Sequence, residues 1–186
     1  ELIGAHNHKE GEPDIAFHDL HSVEKEEHDD MHDKFFHKYI KEYNYHNALL
    51  MDMNDGHVLY SAVKHIDYGQ SVLSSTLKNS GLSEVWKKVL RLKRPVIVDM
   101  RTYSPTDKAL AMFIGAPVYI NGLFKAVMVF HISSHEINNI MKFREGYGDS
   151  QENYLVGQDG LMRSDSFLEE KTHSLEASFR DKSTGR

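Results

Sequence analysis

The sequence of 186 residues contains no cysteine, which excludes disulfide bonds, thiolate zinc sites and a cysteine nucleophile. Long apolar runs are absent as well. The longest uncharged apolar run, residues 109–120, contains 12 residues, whereas a membrane-spanning helix needs about 20, so we expect no part of this chain to cross a membrane. The chain does not begin with Met and shows no basic stretch followed by an apolar one. We therefore interpret it as a mature fragment or an excised domain.

The common catalytic motifs are also absent. The sequence has no Gly-x-Ser-x-Gly nucleophile elbow, no Gly-x-x-x-x-Gly-Lys phosphate loop and no Gly-x-Gly-x-x-Gly dinucleotide turn. It also lacks the His-Glu-x-x-His motif of zinc proteases. We predict no catalytic residue, no cofactor and no enzymatic activity. The alternative is an enzyme whose scattered Ser and His residues come together only in the fold.

The net charge of −6 is concentrated at the N-terminus, where residues 1–46 carry 12 acidic and 5 basic side chains. An acidic chain without a basic face is a poor binder of nucleic acid, so we expect no nucleic-acid partner. The same stretch holds 8 of the 13 histidines. They are His6, His8, His18, His21, His28, His32, His37 and His46.

Two interpretations of these histidines go beyond a solvated, charged helix face. His28 and His32 are four residues apart, as are Asp29 and Asp33, a spacing that can place metal ligands on one side of a helix. A solvated face is the simpler explanation, and we predict no metal site. A pH response is the other interpretation, because protonation of all eight would move residues 1–46 from −7 to about +1 near pH 6.

The N-terminal region is predicted to be helical after a short lead. Residues 1–14 contain two glycines and a proline among polar side chains, which is typical of a linker or a frayed terminus. Residues 15–46 are predicted to form a long amphipathic helix, with apolar side chains at intervals of four. These are Met31, Phe35, Tyr39 and Tyr43. Because so narrow a stripe is buried only against a domain or a twin helix, we expect a homodimer along this helix.

From residue 47 onward the pattern changes to short strands joined by tight turns. Asn54-Asp55-Gly56 and Asn121-Gly122 are typical of hairpins, and Gln158-Asp159-Gly160 indicates a third. Strands joined by such turns pair antiparallel. We predict an α+β fold in which the long N-terminal helix packs beside an antiparallel sheet of about five strands.

Several segments match one known family in their residues and in their order along the chain. They are residues 49–52, 55–60, 64–69, 98–105, 113–119, 154–157 and 159–166. Together they resemble the extracytoplasmic Cache (PAS-like) sensor domains of bacterial transmembrane receptors, over roughly residues 30–166. The segment at residues 159–166 is the most distinctive of them.

The resemblance implies a PAS-like sensor module at residues 47–150 that follows a helix rising from a membrane. Residues 151–186 would then be the start of a truncated membrane-proximal module or a tail. It also implies a periplasmic or extracellular location in an inner-membrane receptor, with membrane contact only through flanking segments. The Tyr/Arg/Trp/Tyr/Asp signature of amino-acid-binding members is not found around the only tryptophan, Trp86, so an amino-acid ligand is not implied.

The parent receptor is expected to be a methyl-accepting chemotaxis protein. A histidine kinase or a diguanylate cyclase is the alternative, because the same sensors are joined to each. In any of them, the ligand would close the pocket and change the packing of the sheet on the long helix by a population shift. A ligand-free domain that pairs through the helix is a further alternative.

Ligand contact is predicted first at Asp99, Arg101 and Tyr103. These residues alternate along a predicted strand, so we expect their side chains to share one face. Arg can hold a carboxylate with two hydrogen bonds, and Asp can pair with an amine, which suits a small polar or zwitterionic ligand. An Asp–Arg pair that satisfies itself at the sheet edge is the alternative. The resemblance places the pocket of the family at this strand.

Further candidates flank that strand. The stretch after the first hairpin caps the pocket in the family, which implies contacts from Tyr60, His65, Asp67 and Tyr68. Phe113, Tyr119 and His131 lie on the central strands, where ligand sites combine apolar walls with a few polar groups. Ordinary core packing is the alternative for these three residues.

Overall fold

The computed structural model describes residues 27–74, 76–146 and 148–182. The predicted linker at residues 1–14 and the first part of the predicted N-terminal helix lie outside these residues. Within the described parts of the chain, no helix is both long enough and apolar enough to cross a bilayer.

The chain forms two compact units, Glu1–Phe35 and Phe36–Arg186. Helix α1 (Glu27–Glu42) begins in the first unit and ends in the second. Just after it, Asn44 adopts a positive φ of 54° and the Tyr45 N–H donates to the Ile40 carbonyl at 2.8 Å. This turn stops the helix and directs the chain into the first strand.

The second unit contains a five-stranded antiparallel sheet in the order β2-β1-β5-β4-β3. The strands are β1 (Asn47–Asp52), β2 (Val58–Ser61), β3 (Val96–Tyr103), β4 (Ala109–Ile120) and β5 (Leu123–Ser133). The helices of this unit are α2 (Gly81–Leu92), α3 (Ser134–Met141) and α4 (Leu175–Asp181). The predicted α+β class and antiparallel sheet are confirmed.

The main core lies between the sheet and α2, on what we call the α2 face. Gly115 allows close approach, because a Cβ there would lie 2.6 Å from Val85 Cγ2 and 3.1 Å from Val89 Cγ2 of α2. Trp86 of α2 is buried, and its indole N–H donates to the Asp52 carbonyl at 2.8 Å. The helix is therefore held against both the centre of the sheet and the first hairpin.

The opposite face of the sheet carries two smaller clusters. One unites Met100, Ile137, Met162 and Leu175, so that α3 and α4 pack there with the C-terminal segment. The other unites Ile40 of α1 with Ala48 and Ala62, flanked by partly buried aromatic side chains. The later turns of α1 thus pack beside the sheet, as predicted. Tyr39 stacks on Phe130 of β5 at 5.3 Å between ring centroids.

Candidate functional site

The three side chains expected to share a face of β3 do not do so. Asp99 and Met100 together lie opposite the single residue Met112 of β4, because the register shifts between Val98 and Arg101. Such a β-bulge inserts one residue and breaks the alternation of faces. Val98 and Tyr103 belong to the core on the α2 face, whereas Met100 belongs to the opposite face. The prediction of a shared face was therefore wrong.

The partners of Asp99 and Arg101 follow from this bulge. The Arg163 guanidinium donates to Asp99 through two parallel bonds, Nε to Oδ1 at 2.8 Å and Nη2 to Oδ2 at 2.7 Å. Arg101 instead turns towards α2, where Nη2 lies 2.6 Å from Glu84 Oε2. Asp99 and Arg101 do not pair with each other, and each is neutralised by a different element.

Arg163 was not predicted, although it lies in the most distinctive segment of the sequence. Its side chain is only 6% exposed, and Nη2 also pairs with Asp159 at 2.9 Å. A side chain at Gly157 would collide with this guanidinium. Hydrogen bonds from Arg163 lower the pKa of the Asp99 carboxyl below its ordinary value. The pair ties the turn at residues 158–160 to β3, which indicates a structural contact.

Four predicted residues do meet on the α2 face, at the end of the sheet. The Tyr103 hydroxyl donates to Asp67 Oδ2 at 2.6 Å. The Tyr103 ring packs edge-on against Phe113 at 5.0 Å and against His131 at 5.6 Å. Asp67 is 1% exposed and His131 2%. The sequence placed these residues on separate elements, and the fold brings them into one buried site.

Two further histidines complete what we call the histidine cluster, defined as His46, His65, His131, Asp67 and Tyr103. The His46 ring lies 4.5 Å from that of His131 and 5.6 Å from that of His65, with which it is nearly parallel. The His46 N–H also donates to the His131 carbonyl at 2.8 Å. His65 was a candidate from the sequence. His46 was assigned only to the N-terminal histidines, and its one usable signal was its position next to the first strand.

The segment that covers the cluster, residues 61–70, is called here the lid segment. Asn47 holds its start: Nδ2 donates to Ser61 Oγ at 3.0 Å, and Oδ1 accepts from the Val63 N–H at 3.1 Å. Lys64 then adopts a positive φ of 53°, which reverses the chain. At the far end, the Gly69 N–H donates to the Val58 carbonyl at 3.0 Å. Anchors at both ends place Asp67 and His65 over the end of β5.

Three buried polar atoms of the cluster make no hydrogen bond in the structure: His46 Nε2, His65 Nε2 and Asp67 Oδ1. Glu136 Oε2 on α3 is one of several buried polar atoms outside the cluster that also make no hydrogen bond. Burying such an atom without a hydrogen-bond partner costs about 1–3 kcal/mol of desolvation free energy. Three such atoms within the one cluster indicate a site that another molecule can complete.

Two imidazoles of the cluster are held in the neutral form. Burial, followed by the charges of His46 and His65, lowers the pKa of His131 to about 3. Burial and His65 also lower the pKa of His46, against the opposing charges of Glu136 and Asp67. Burial, followed by the charge of Asp67, raises the pKa of Tyr103. At neutral pH the cluster therefore presents neutral His46 and His131 imidazoles and a protonated Tyr103 phenol.

The remaining candidates lie away from the cluster. Tyr60 projects to the opposite face, 5.1 Å from the ring of Phe36. Tyr68 belongs to the lid segment, but its side chain is exposed. Tyr119 is also exposed and packs on Phe124 at the far end of the β4–β5 hairpin. Within the described chain, no group of three His, Asp or Glu residues has the arrangement that would hold a metal ion.

Comparison with known proteins supplies the class to which this fold belongs. No family model matches the chain, and no curated protein does. Among solved structures, it is similar to an extracellular ligand-binding receptor from Desulfohalobium retbaense, with a TM-score of 0.56 at 15% identity over 81% of this chain and 26% of that one. It also resembles the sensor domain of the Vibrio cholerae histidine kinase DctB, with a TM-score of 0.52 at 12% identity over 84% of this chain and 55% of that one.

The sensory domain of the Campylobacter jejuni chemoreceptor Tlp3 is a third similar structure, with a TM-score of 0.50 at 15% identity. The match covers 78% of this chain and 56% of that one. The chain thus matches between about a quarter and just over half of these three solved chains. At these identities the likeness establishes the fold alone, which this chain shares with the extracellular receptor and the two sensor domains named above.

Proposed function

We propose that this chain is the extracytoplasmic ligand-sensing domain of a transmembrane signal-transduction receptor. The observation that carries the proposal is the histidine cluster, a buried polar site with unsatisfied atoms beneath an anchored lid segment. Sensor domains of chemoreceptors and of histidine kinases share the fold. A small polar molecule that supplies the missing hydrogen bonds would stabilise the closed form of the site and shift the population towards it.

The cluster favours binding over catalysis. Its only hydroxyl, that of Tyr103, donates to Asp67 and has a raised pKa, so it is a poor nucleophile. We therefore propose a non-enzymatic receptor domain. Of the possible parent receptors, we favour a methyl-accepting chemotaxis protein, with a histidine kinase as the second candidate.

The route by which ligand binding reaches α1 follows from two pairs of consecutive residues. His46 and His131 belong to the cluster, and their neighbours Tyr45 and Phe130 project to the opposite face. The rings of Tyr45 and Phe130 stack at 4.6 Å. Tyr39 of α1 stacks on the same Phe130 ring. Because consecutive strand residues such as Phe130 and His131 point to opposite faces, a shift of the His131 backbone moves the aromatic stack that holds the helix.

A ligand screen tests the proposal. Thermal unfolding is followed with amino acids, organic acids, amines and purines, and at least one class should raise the melting temperature. The matched variants are Tyr103→Phe, inside the cluster, and Tyr119→Phe, on the exposed hairpin. Responses to the active class should change in the first variant and stay unchanged in the second. If no class has an effect and the chain only dimerises, a ligand-free interaction domain is the correct description; turnover of any compound would identify an enzyme.

A further inference from the structure

We infer that the histidine cluster selects a small organic cation, a protonated amine without a carboxylate. The inference rests on the proposed function and names its ligand class. It begins with the two arginines near β3, which would suit a carboxylate but pair with acidic side chains elsewhere in the described chain. Arg101 pairs with Glu84, and the nearly buried Arg163 pairs with Asp99 and Asp159. Neither guanidinium is directed into the cluster.

The cluster is instead rich in acceptors. Asp67 is almost completely buried, and one of its oxygens, Oδ1, makes no hydrogen bond. Among the described residues, none forms an ion pair with Asp67. Burying a carboxylate without a cation is destabilising, and a cation placed beside it offsets much of that free-energy cost. Glu136, outside the cluster, has a second buried carboxyl oxygen that makes no hydrogen bond. Its charge acts to raise the pKa of His46.

The other walls of the site suit the same ligand. A neutral imidazole can accept a hydrogen bond through one ring nitrogen, and Nε2 of His46 and of His65 are both without a partner. An ammonium group carries three N–H donors, which equals the number of these acceptors in the cluster. The aromatic rings of Tyr103 and Phe113 border the site and attract cations through their faces. A carboxylate would meet Asp67 and be repelled.

The experiment compares probes that share one carbon skeleton: butylamine, butyrate and γ-aminobutyrate, with putrescine as a dication. Binding is measured by calorimetry and by thermal shift at constant ionic strength. Butylamine or putrescine should raise the melting temperature of the native chain, and butyrate should not. In Asp67→Asn, the Kd for the active amine should rise at least tenfold. The control is Asp107→Asn, an exposed carboxylate with a positive φ that Asn tolerates, in which the Kd should not change.

A second measurement does not depend on a variant that folds. Addition of the active amine to the native chain should shift the imidazole NMR signals of His46, His65 and His131, and leave that of the exposed His57 in place. Perturbation of His57 alone, or a Kd that is the same in Asp67→Asn, overturns the inference. A response to butyrate, γ-aminobutyrate or a purine, without one to the amines, overturns the ligand class but leaves the sensor function intact. If no compound in either screen binds or raises the melting temperature, the result contradicts both the inference and the proposed function.

Discussion

At the scale of single residues, His131 couples the stability of the fold to pH. Its pKa is about 3 in the native state, against an ordinary value of 6.5 in an unfolded chain. Between these values the unfolded chain binds a proton that the native chain does not. Stability is therefore complete above pH 6.5 and falls as the pH decreases through this window.

We expect His131 to cost about 2 kcal/mol of unfolding free energy between pH 6.5 and pH 5, at about 1.4 kcal/mol per pH unit. Urea titrations at several pH values in this range measure the slope, and His131→Gln removes this contribution. Acidic and basic groups that do not interact with His131 affect both proteins equally. The difference between the two slopes therefore reports His131 and its interaction with His46 and His65. Equal slopes would show that His131 is readily protonated in the native state.

Arg163 provides a second prediction at this scale. Substitution Arg163→Met removes both bonds to Asp99 and leaves that carboxylate and Asp159 without their common partner. Because the side chains of Asp99 and Asp159 are 54% and 50% exposed, water screens both pairs. We expect their loss to cost about 1 kcal/mol, seen as a fall in the midpoint of chemical denaturation. Arg180→Met is the control, because Arg180 is exposed and its ion-pair partner among the described residues is its neighbour Asp181. A similar, small effect for both variants would contradict a structural role for Arg163.

At the scale of elements, the close packing of α2 against the sheet depends on Gly115. Gly115→Ala would force the helix away from β4, because Val85 and Val89 occupy the space that a Cβ needs. We expect a loss of about 1–3 kcal/mol, the usual range for overpacking. Gly148→Ala is the matched control, since a Cβ there meets nothing within 4 Å. Equal stability of the two alanine variants would mean that α2 can shift at little cost.

The elements also show what the sequence could and could not predict. The hairpins were predictable because Asp-Gly and Asn-Gly favour positive φ, and Gly56, Asn121 and Gly122 all adopt it. The bulge in β3 was not, because no residue type marks the extra position and the alternation of Asp99 and Arg101 looks regular in the sequence. The single extra residue of the bulge was enough to separate the three side chains of the predicted site.

The histidine cluster was only partly predictable for a related reason. Phe113 and His131 are register neighbours across β4 and β5, so the tight hairpin between these strands was enough to bring them together. His46 and Asp67 come from connections on either side of β1 and β2, whose path depends on the Asn47 hydrogen bonds and the reversal at Lys64. Contacts that depend on individual loop geometries leave no periodic signal in a single sequence.

At the scale of the whole molecule, the prediction of a homodimer concerns α1. Phe35, a member of the apolar stripe, is 60% exposed. We expect Phe35→Glu to weaken self-association at least tenfold in sedimentation equilibrium, because burying a charge in an apolar helix pair is unfavourable. Leu123→Glu is the control, since Leu123 is 61% exposed at the tip of the β4–β5 hairpin. A native chain that stays monomeric at every concentration would show that the stripe does not pair.

The position of Trp86 has a practical consequence. It is the only tryptophan in the chain, and its indole is buried against the hairpin that leads into β2 and from there to residues 61–70. Its fluorescence therefore reports on a single location, with no overlapping emission from other indoles. Docking of a small molecule, or melting of this corner of the protein, can thus be followed optically without attaching a dye.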